Sequence, residues 1–263
     1  MDTIKRYNLL LFFSVILISL ITYGCLDSSG PGENTPQPYP HQINPGVSAN
    51  DFLADSSFTD LVIEVDYMEG YAPNSEALDS LEAFLEQRLH KTSVTINEPT
   101  VIPAEGQNSY SANEVRSLEE QHRDNYTSST ESNQLTAYMI IVDGEYNEAN
   151  VLGIAYFNTS NAFFGAAFDE ASGGIGQASR YLVEATSYRH EFGHLFGLVN
   201  IENSGTEMQQ DHQDEENGHH CDNDQCLMYY AVETTDFFGQ LTGEEIPSLD
   251  ANCIADLQAN GGK

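Results

Sequence analysis

The stretch His190-Glu-Phe-Gly-His-Leu-Phe-Gly-Leu-Val-Asn200 carries the strongest pattern in the chain. It contains His-Glu-x-x-His, and histidines four residues apart lie one turn apart on the same face of a helix. His190 and His194 are therefore expected to offer ring nitrogens to one metal ion. Glu191 lies about 100° around the helix from His190, which puts a carboxylate beside the ion as a candidate general base. This arrangement is typical of a catalytic zinc site.

The residues around this motif predict an amphipathic helix. An apolar stripe at helical spacing lies roughly opposite the histidines and comprises Tyr181, Ala185, Tyr188, Phe192, Leu195, Phe196 and Val199. The face of the histidines carries Val183, Thr186, Ser187 and Gly197. We therefore expect one face in a core and the other in an open cleft. Gly197 is expected to end the helix in a left-handed conformation and to turn the chain towards a third ligand. The alternative is two surface histidines on an ordinary amphipathic helix.

The charge of the chain restricts its partners. There are 41 acidic and 9 basic residues among 263, for a formal net charge of −32. Nucleic acid is excluded as a partner because a phosphate polymer would be repelled. Two interpretations of the acidic surface stay open: a halophilic source, or a soluble acidic protein from an ordinary one.

The N-terminus is typical of a targeting segment. Lys5 and Arg6 precede an apolar run, 9–22, that is short for a membrane-spanning helix and suits the core of a signal peptide. The run ends in Ile21-Thr-Tyr-Gly-Cys25 and resembles a lipoprotein signal, in which the cysteine receives lipid. We predict a signal peptide over 1–25 and a membrane-anchored lipoprotein at the cell surface, outside the cytoplasm. An uncleaved anchor and plain secretion are the alternatives.

Composition and periodicity divide the rest of the chain. Residues 26–57 are rich in Ser, Gly, Pro and Asn, which predicts a flexible linker, so the folded domain is expected over 58–263. Within it, hydrophobic patterns predict strands at 63–67, 94–101 and 136–142 and helices at 75–89 and 112–122. The strand at 136–142 is apolar on both faces and should be central. Strands alternating with helices predict an α/β fold with a mostly parallel sheet and right-handed crossovers.

Two shorter apolar segments, 151–157 and 162–168, precede the metal helix. Either is a candidate edge strand, and an edge above a metal cleft can hold an extended peptide as an added strand. At the other end of the chain, a C-terminal helix is predicted from Ile246, Leu249, Cys253 and Leu257.

A second conspicuous run is His219-His-Cys-Asp-Asn-Asp-Gln-Cys-Leu-Met-Tyr-Tyr230. His-Glu-x-x-His-x-x-Gly at 190–197, followed later by Met228, resembles the metzincin clan of zinc peptidases, in which a methionine turn underlies the metal site. His-Cys-x4-Cys-x-Met at 220–228 is similar to the archaemetzincin branch. The resemblance implies a twisted, mostly parallel sheet with an antiparallel edge strand, an active-site helix and a C-terminal helix. It also implies one catalytic Zn²⁺ and hydrolysis of peptide or protein substrates, with Glu191 as general base. We expect a monomer.

The resemblance leaves the third zinc ligand open, because the metzincin position three residues after the glycine is Asn200 here. His220 is favoured because it precedes Cys-x4-Cys-x-Met as in archaemetzincins, and His212 and His219 are the alternatives. Tyr230, two residues after the methionine, is placed like the tyrosine that stabilises the oxyanion in some metzincins. The alternative for Tyr230 is simple packing.

The cysteines and an acidic insertion, the polar stretch 201–218 that separates Asn200 from His219, allow other interpretations. Archaemetzincins carry a further Cys-x2-Cys for a second zinc, and here only Cys253 remains. Cys221 and Cys226 are expected to form a small disulfide loop, or the three cysteines and a histidine to hold a second zinc. A surface metal-binding or adhesion lipoprotein with a non-catalytic zinc site is the alternative function. A metal-sequestering protein that uses the histidines of the acidic insertion is another.

Overall fold

A computed structural model describes residues 38–128, 133–174, 176–240 and 245–263. The predicted signal peptide and its Cys25 lie outside these ranges. Within them, no helix has both the length and the apolar character needed to cross a membrane.

The described residues form an α/β fold. Its helices are α1 (Ala49–Leu53), α2 (Ser75–Arg88), α3 (Ala112–His122), α4 (Gly165–Ala171), α5 (Arg180–Leu195), α6 (Thr235–Gln240) and α7 (Ala251–Ala259), with a 3-10 turn at Tyr230–Glu233. Its strands are β1 (Asp60–Met68), β2 (Ser93–Ile96), β3 (Thr100–Ile102), β4 (Ser109–Tyr110), β5 (Gln134–Val142), β6 (Glu145–Tyr146), β7 (Gly153–Phe157) and β8 (Ser160–Phe164).

The main sheet has the strand order β2-β1-β5-β8-β7, and β3 also pairs with β1. Every pairing in this sheet is parallel except that of β7 with β8, which is antiparallel. Strand β7 is the last in the order and therefore lies at the edge of the sheet. The central strand β5 is buried from Leu135 to Val142, as expected for a strand covered on both faces. The predicted fold class, a mostly parallel sheet with an antiparallel edge strand, is confirmed.

Two sequence predictions within the sheet change in detail. The strand predicted at 94–101 is interrupted at 97–99 and forms two short strands, which pair with successive halves of β1. The break contains Pro99, which has no N–H to donate to a ladder. The apolar segment 162–168 ends as a strand at Phe164 and continues as helix α4, so the edge strand is β7.

The fold begins before Phe58, within the predicted linker. Helix α1 packs Phe52 and Leu53 into the core, where both are fully buried. The segment before it is also tied down, since the Asn158 side-chain amide donates to the carbonyl of Pro40 at 3.0 Å and to Ser48 Oγ at 2.6 Å. Hydrophobic periodicity missed this part of the fold because its apolar residues are few and stand among turn formers.

Helix α5 is buried on both faces. The predicted apolar stripe lies in the core, with Phe192 and Phe196 both in edge or tilted contact with Phe52. The opposite face is enclosed too, since Thr186 is 0% and Ser187 1% exposed. The expectation of an open face is therefore wrong for most of the helix length. The site is reached only near the C-terminal end of α5.

Candidate metal centre

Helix α5 ends in a geometry that redirects the chain towards the site. Gly197 has a φ of 83°, and its N–H donates to the carbonyl of His194 at 3.0 Å, while Leu198 N–H donates to that of Gly193 at 3.0 Å. These two bonds form a Schellman motif. The predicted left-handed end of the helix at Gly197 is confirmed.

Three histidines meet beyond this turn: His190, His194 and His220. Their ring centroids are 4.9 to 5.3 Å apart. Each ring donates its Nδ1–H to a backbone carbonyl. His190 donates to Leu227 at 2.7 Å, His194 to Leu198 at 2.8 Å and His220 to Asn217 at 2.6 Å. A carbonyl only accepts, so Nδ1 carries the proton and Nε2 presents a lone pair.

The free nitrogens converge with one carboxylate. The ligand atoms of His190, His194, His220 and Glu233 all lie within 4.8 Å of one another. The Nε2 atoms of His190 and His220 are buried and have no hydrogen-bond partner among the described residues. A buried polar atom left unpaired costs about 1–3 kcal/mol, and a cation removes this cost. Nitrogen and carboxylate donors in this number suit Zn²⁺, so the residues present fit a zinc ion.

The electrostatics keep two of the rings neutral, as metal binding requires. Burial lowers the pKa of His190 to about 4, helped by the charge on His220. Burial also holds the pKa of His194 well below its usual value, with His190 and His220 acting in the same direction. Both rings are therefore free of the second proton at neutral pH.

Glu191 lies beside the histidines and faces the cleft. The residue is 1% exposed, and neither carboxylate oxygen has a hydrogen-bond partner among the described residues. Burial raises the pKa of Glu191 well above its usual value, and the charge of Glu233 adds to the effect. A Cβ added to Gly153 of β7 would lie 3.0 Å from Cγ of Glu191, so the edge strand passes close to this side chain.

The structure separates the three candidates for the third ligand. The insertion forms a loop whose two ends meet. Val199 N–H, just before the insertion, donates to the carbonyl of His219, just after it, at 3.1 Å. The next residue, His220, reaches the centre. His212 instead lies 2.8 Å from Asp256 and 3.4 Å from the thiol of Cys221. His219 is half-buried at the rim of the cleft, where its Nδ1 lies 3.1 Å from the carbonyl oxygen of Asn200.

Met228 lies directly against α5 between the two helical histidines. A Cβ added to Gly193 would lie only 2.3 Å from the Met228 sulfur, and Met228 is 0% exposed. This placement is that of the predicted methionine turn beneath the metal site.

Tyr230 lies away from the cleft. It packs against Tyr229 with ring centroids 4.7 Å apart and lines a separate cavity with Asp224 and Phe237. The oxyanion role predicted for Tyr230 therefore gains no support from its position.

Glu233, which the sequence reasoning missed, lies at the centre. One carboxylate oxygen is 3.4 Å from Nε2 of His220 and 3.8 Å from Nε2 of His190. Burial would raise the pKa of Glu233, but the interaction with His220 and the charge of His190 lower it below the usual value. No short motif marks this residue, and it is one of 41 acidic residues, so only the folded chain distinguishes it.

A cleft with a volume of about 510 Å³ opens over the histidines. Its walls come from the N-terminal segment, from edge strand β7 and from the insertion loop. The lining residues are Asn44, Pro45, Ile154, Ala155, Glu191, His194, Ile201, Glu202, Asn203, Asn217, Gly218, His219, His220 and Glu233.

A second group of potential ligands lies beneath the first. His212, Cys221, Asp250 and Cys253 have ligand atoms within 4.8 Å of one another, and Cys226 Sγ is 3.5 Å from Cys253 Sγ. All three cysteines are free thiols, so the expected disulfide between Cys221 and Cys226 is not formed. The cluster corresponds to the alternative of three cysteines with a histidine.

The fold has a likeness among solved structures, but the sequence matches no known family. No family profile matches the sequence, and no curated protein matches it. The crystal structure of archaemetzincin from Methanopyrus kandleri is similar to this chain, with a TM-score of 0.48 and 14% sequence identity. The alignment covers 78% of this chain and 96% of that one. The chemistry that this site can perform follows from the residues of the centre.

Proposed function

We propose that this protein is a zinc-dependent peptidase that holds its ion with His190, His194 and His220 and uses Glu191 as general base. The observation that carries the proposal is the convergence of three Nε2 atoms, each ring oriented by a backbone carbonyl, beside a buried carboxylate with no partner. Bound zinc supplies a Lewis acid and lowers the pKa of a water towards ~7.

The residues of the chain account for the proton transfers. Glu191 takes the proton of the attacking water and returns it to the leaving amine, so one carboxylate acts first as base and then as acid. Burial raises the pKa of Glu191, which makes its carboxylate a stronger base than an exposed one. Burial of the carboxylate excludes bulk water from the transfer.

Substrate binding is proposed at the edge of the sheet. Strand β7 lies at the edge, and its Ile154 and Ala155 line the cleft. An extended peptide can add to such an edge through main-chain hydrogen bonds. Glu202 also lines the cleft, and the chain carries a net charge of −32, so we expect neutral or basic peptides to be preferred over acidic ones.

We further propose that the protein acts as a monomer outside the cytoplasm, anchored by lipid on Cys25. The support is the sequence of the N-terminus alone: a basic pair, an apolar run of signal-peptide length and a cysteine at its end. The fold supplies no additional support for the anchor.

A non-catalytic zinc site in a surface metal-binding or adhesion lipoprotein is the second candidate. The specific observation in its favour is Glu233, whose carboxylate lies within 4.8 Å of the ligand atoms of the three histidines, because a catalytic zinc site has three protein ligands and a structural one has four. Both candidate functions include zinc binding, so a test of peptide hydrolysis is needed to distinguish them.

The deciding experiment compares Glu191→Gln with the wild type in zinc content and in cleavage of casein and a peptide library. We expect the variant to keep its zinc and to lose about 100-fold or more of its hydrolysis rate. His220→Ala should lose the zinc of the centre, while His219→Ala, a matched change at the rim, should keep it. Unchanged hydrolysis in Glu191→Gln, or an intact centre in His220→Ala, would contradict the assignment.

A further inference from the structure

Glu233 comes to the centre from a different part of the fold than the histidines. His190 and His194 lie on α5 and His220 follows the insertion loop, whereas Glu233 ends the 3-10 turn after the methionine. Its carboxylate oxygen lies within 3.4 Å and 3.8 Å of two of the three Nε2 atoms. The four side chains therefore form one set of potential ligands.

The backbone holds Glu233 in this place. Leu152 N–H donates to the carbonyl of Glu233 at 2.9 Å, and Thr234 pairs with Val151 in an antiparallel bridge. Thr235 N–H donates to the carbonyl of Asn150 at 3.0 Å. The turn is thus attached to the segment that leads into edge strand β7, and the direction of the Glu233 side chain follows from that attachment.

A divalent cation would balance the charges of the carboxylates at the centre. Glu191 and Glu233 are two carboxylates that line the same cleft. The three imidazoles supply no compensating positive charge when they are neutral ligands. A divalent ion held by three neutral imidazoles and flanked by two carboxylates makes the group electrically neutral, which is the arrangement that buried charge requires.

We propose that Glu233 is a fourth protein ligand of the zinc ion in the resting protein, in addition to the three histidines. The proposal rests on the zinc-binding half of the proposed function and not on peptide hydrolysis. Tetrahedral zinc has four positions, so a bound Glu233 fills the one that an attacking water needs. The side chain of Glu233 is 26% exposed and faces the cleft. If the carboxylate of Glu233 is bound to the ion, it must leave before a water can take the fourth position.

The test replaces zinc with Co²⁺, whose visible absorption reports the ligands directly. The wild type, Glu233→Gln, Glu233→Ala and Glu202→Gln are loaded with Co²⁺, and their zinc affinities are measured against a chromophoric chelator. Glu202 lines the same cleft but is not among the converging ligand atoms, so it controls for loss of negative charge. Thermal melting of the metal-free proteins tests whether each variant is folded. If either variant is unfolded, Glu233→Asp, which keeps the carboxylate but shortens the side chain, takes its place.

We expect both Glu233 variants to change the Co²⁺ spectrum and to bind zinc at least ~10-fold more weakly, since loss of even an outer-sphere partner costs about 10–100-fold. Acetohydroxamate, a small metal chelator, should bind their Co²⁺ forms about 10-fold more tightly than the wild type, because no protein ligand has to be displaced first. Glu202→Gln should keep the Co²⁺ spectrum, the zinc affinity and the acetohydroxamate affinity of the wild type.

Two different failures are distinguishable. A wild type that binds neither Zn²⁺ nor Co²⁺ would remove the proposed function as well as this inference. Glu233 variants whose Co²⁺ spectra and acetohydroxamate affinities equal those of the wild type would overturn the inference alone. In that case Glu233 is a neighbour of the histidines and not a ligand, and the zinc peptidase proposal stands.

Discussion

At the residue scale, Gly193 decides how closely the methionine turn approaches the metal helix. It stands between the two helical histidines, and a methyl group there would lie 2.3 Å from the Met228 sulfur. Alanine is favoured over glycine inside a helix by about 1 kcal/mol, but overpacking a buried site costs about 1–3 kcal/mol. Because Met228 is 0% exposed, we expect the free-energy cost of the steric overlap to exceed the gain from helix propensity.

Gly193→Ala should therefore lower the melting temperature of the metal-free protein and weaken zinc binding, since the histidines on either side shift with the helix. Thermal melting and chelator competition measure the two effects. A variant more stable than the wild type, with unchanged zinc affinity, would show that the thioether moves aside freely and that helix propensity dominates.

Asp66 makes a separate prediction about pH, remote from the metal ligands. It is 2% exposed on β1 and accepts a hydrogen bond from Tyr138 at 2.8 Å. Burial raises the pKa of Asp66 from 3.8 to about 6. The folded state therefore holds a proton that the unfolded state releases between pH ~4 and ~6, and the stability contributed by Asp66 falls as pH rises through that window.

Asp66→Asn keeps a hydrogen-bond acceptor and removes the titration. It should raise the free energy of unfolding at pH 7 by about 1–3 kcal/mol and have little effect near pH 4. Denaturant unfolding at the two pH values measures the difference, and Asp79→Asn, a change of an exposed carboxylate on α2, is the control. An equal effect of Asp66→Asn at both pH values would show that Asp66 is ionised in the folded protein throughout.

At the scale of elements, α7 is attached to the methionine turn through the cysteine cluster. Cys253 on α7 lies 3.5 Å from Cys226, and the sulfur of Cys226 accepts backbone N–H bonds from Met228 and Asp250, both at 3.4 Å. Backbone donors of this kind stabilise a thiolate, which is the form that binds metal. The neighbouring Leu227 carbonyl accepts the hydrogen bond that orients His190, so this cluster supports the candidate metal centre.

The cluster predicts a second, structural zinc in the reduced protein. We expect two equivalents of zinc in the wild type and one in Cys253→Ala, and the variant should lose about 3–4 kcal/mol of stability when zinc is present at ~1,000 times its Kd. Metal analysis after gel filtration and melting in the presence of zinc measure these effects. His219→Ala, which lies outside the cluster, is the control. One equivalent in both proteins would show that the thiols hold no metal.

At the scale of the whole molecule, the N-terminal segment belongs to the domain and to its cleft. Tyr39 donates to the Asp51 carboxylate at 2.8 Å, and Asn158 binds Pro40 and Ser48. Asn44 and Pro45 line the cleft. A segment with these contacts stabilises the sheet edge as well as shaping the site.

A chain that starts at Asp51 should therefore melt several degrees below one that starts at Pro38, because the shorter chain loses these hydrogen bonds and exposes Phe52 and Leu53 of α1. Exposing one large apolar side chain costs about 1.5–3 kcal/mol, and 1 kcal/mol shifts the melting temperature of a domain of this size by about 2–4 °C. Thermal melting of the two chains measures this difference in melting temperature. Equal melting temperatures would mean that the segment contributes no stability and behaves as the flexible linker that the sequence predicted.

The sequence by itself determined the features that depend on local spacing. Helical periodicity predicted α5, and the i, i+4 spacing predicted that His190 and His194 share a face of it. A glycine predicted the end of the helix, and the apolar runs predicted a mostly parallel sheet with β5 in the centre. These features follow from short-range geometry, because side chains three or four residues apart on a helix, or two apart on a strand, share a face in any fold.

The tertiary structure alone decided which distant residues meet. The sequence left His220, His212 and His219 open as third ligands, and the bond between Val199 and His219 places His220 at the centre. Glu233 carries no motif and reaches the histidines through the pairing of its turn with the segment before β7. Tyr230 has the right spacing after the methionine but points into another cavity. Spacing along the chain determines only local neighbours, whereas the return of a loop to its starting point depends on long-range backbone pairing that no short pattern encodes.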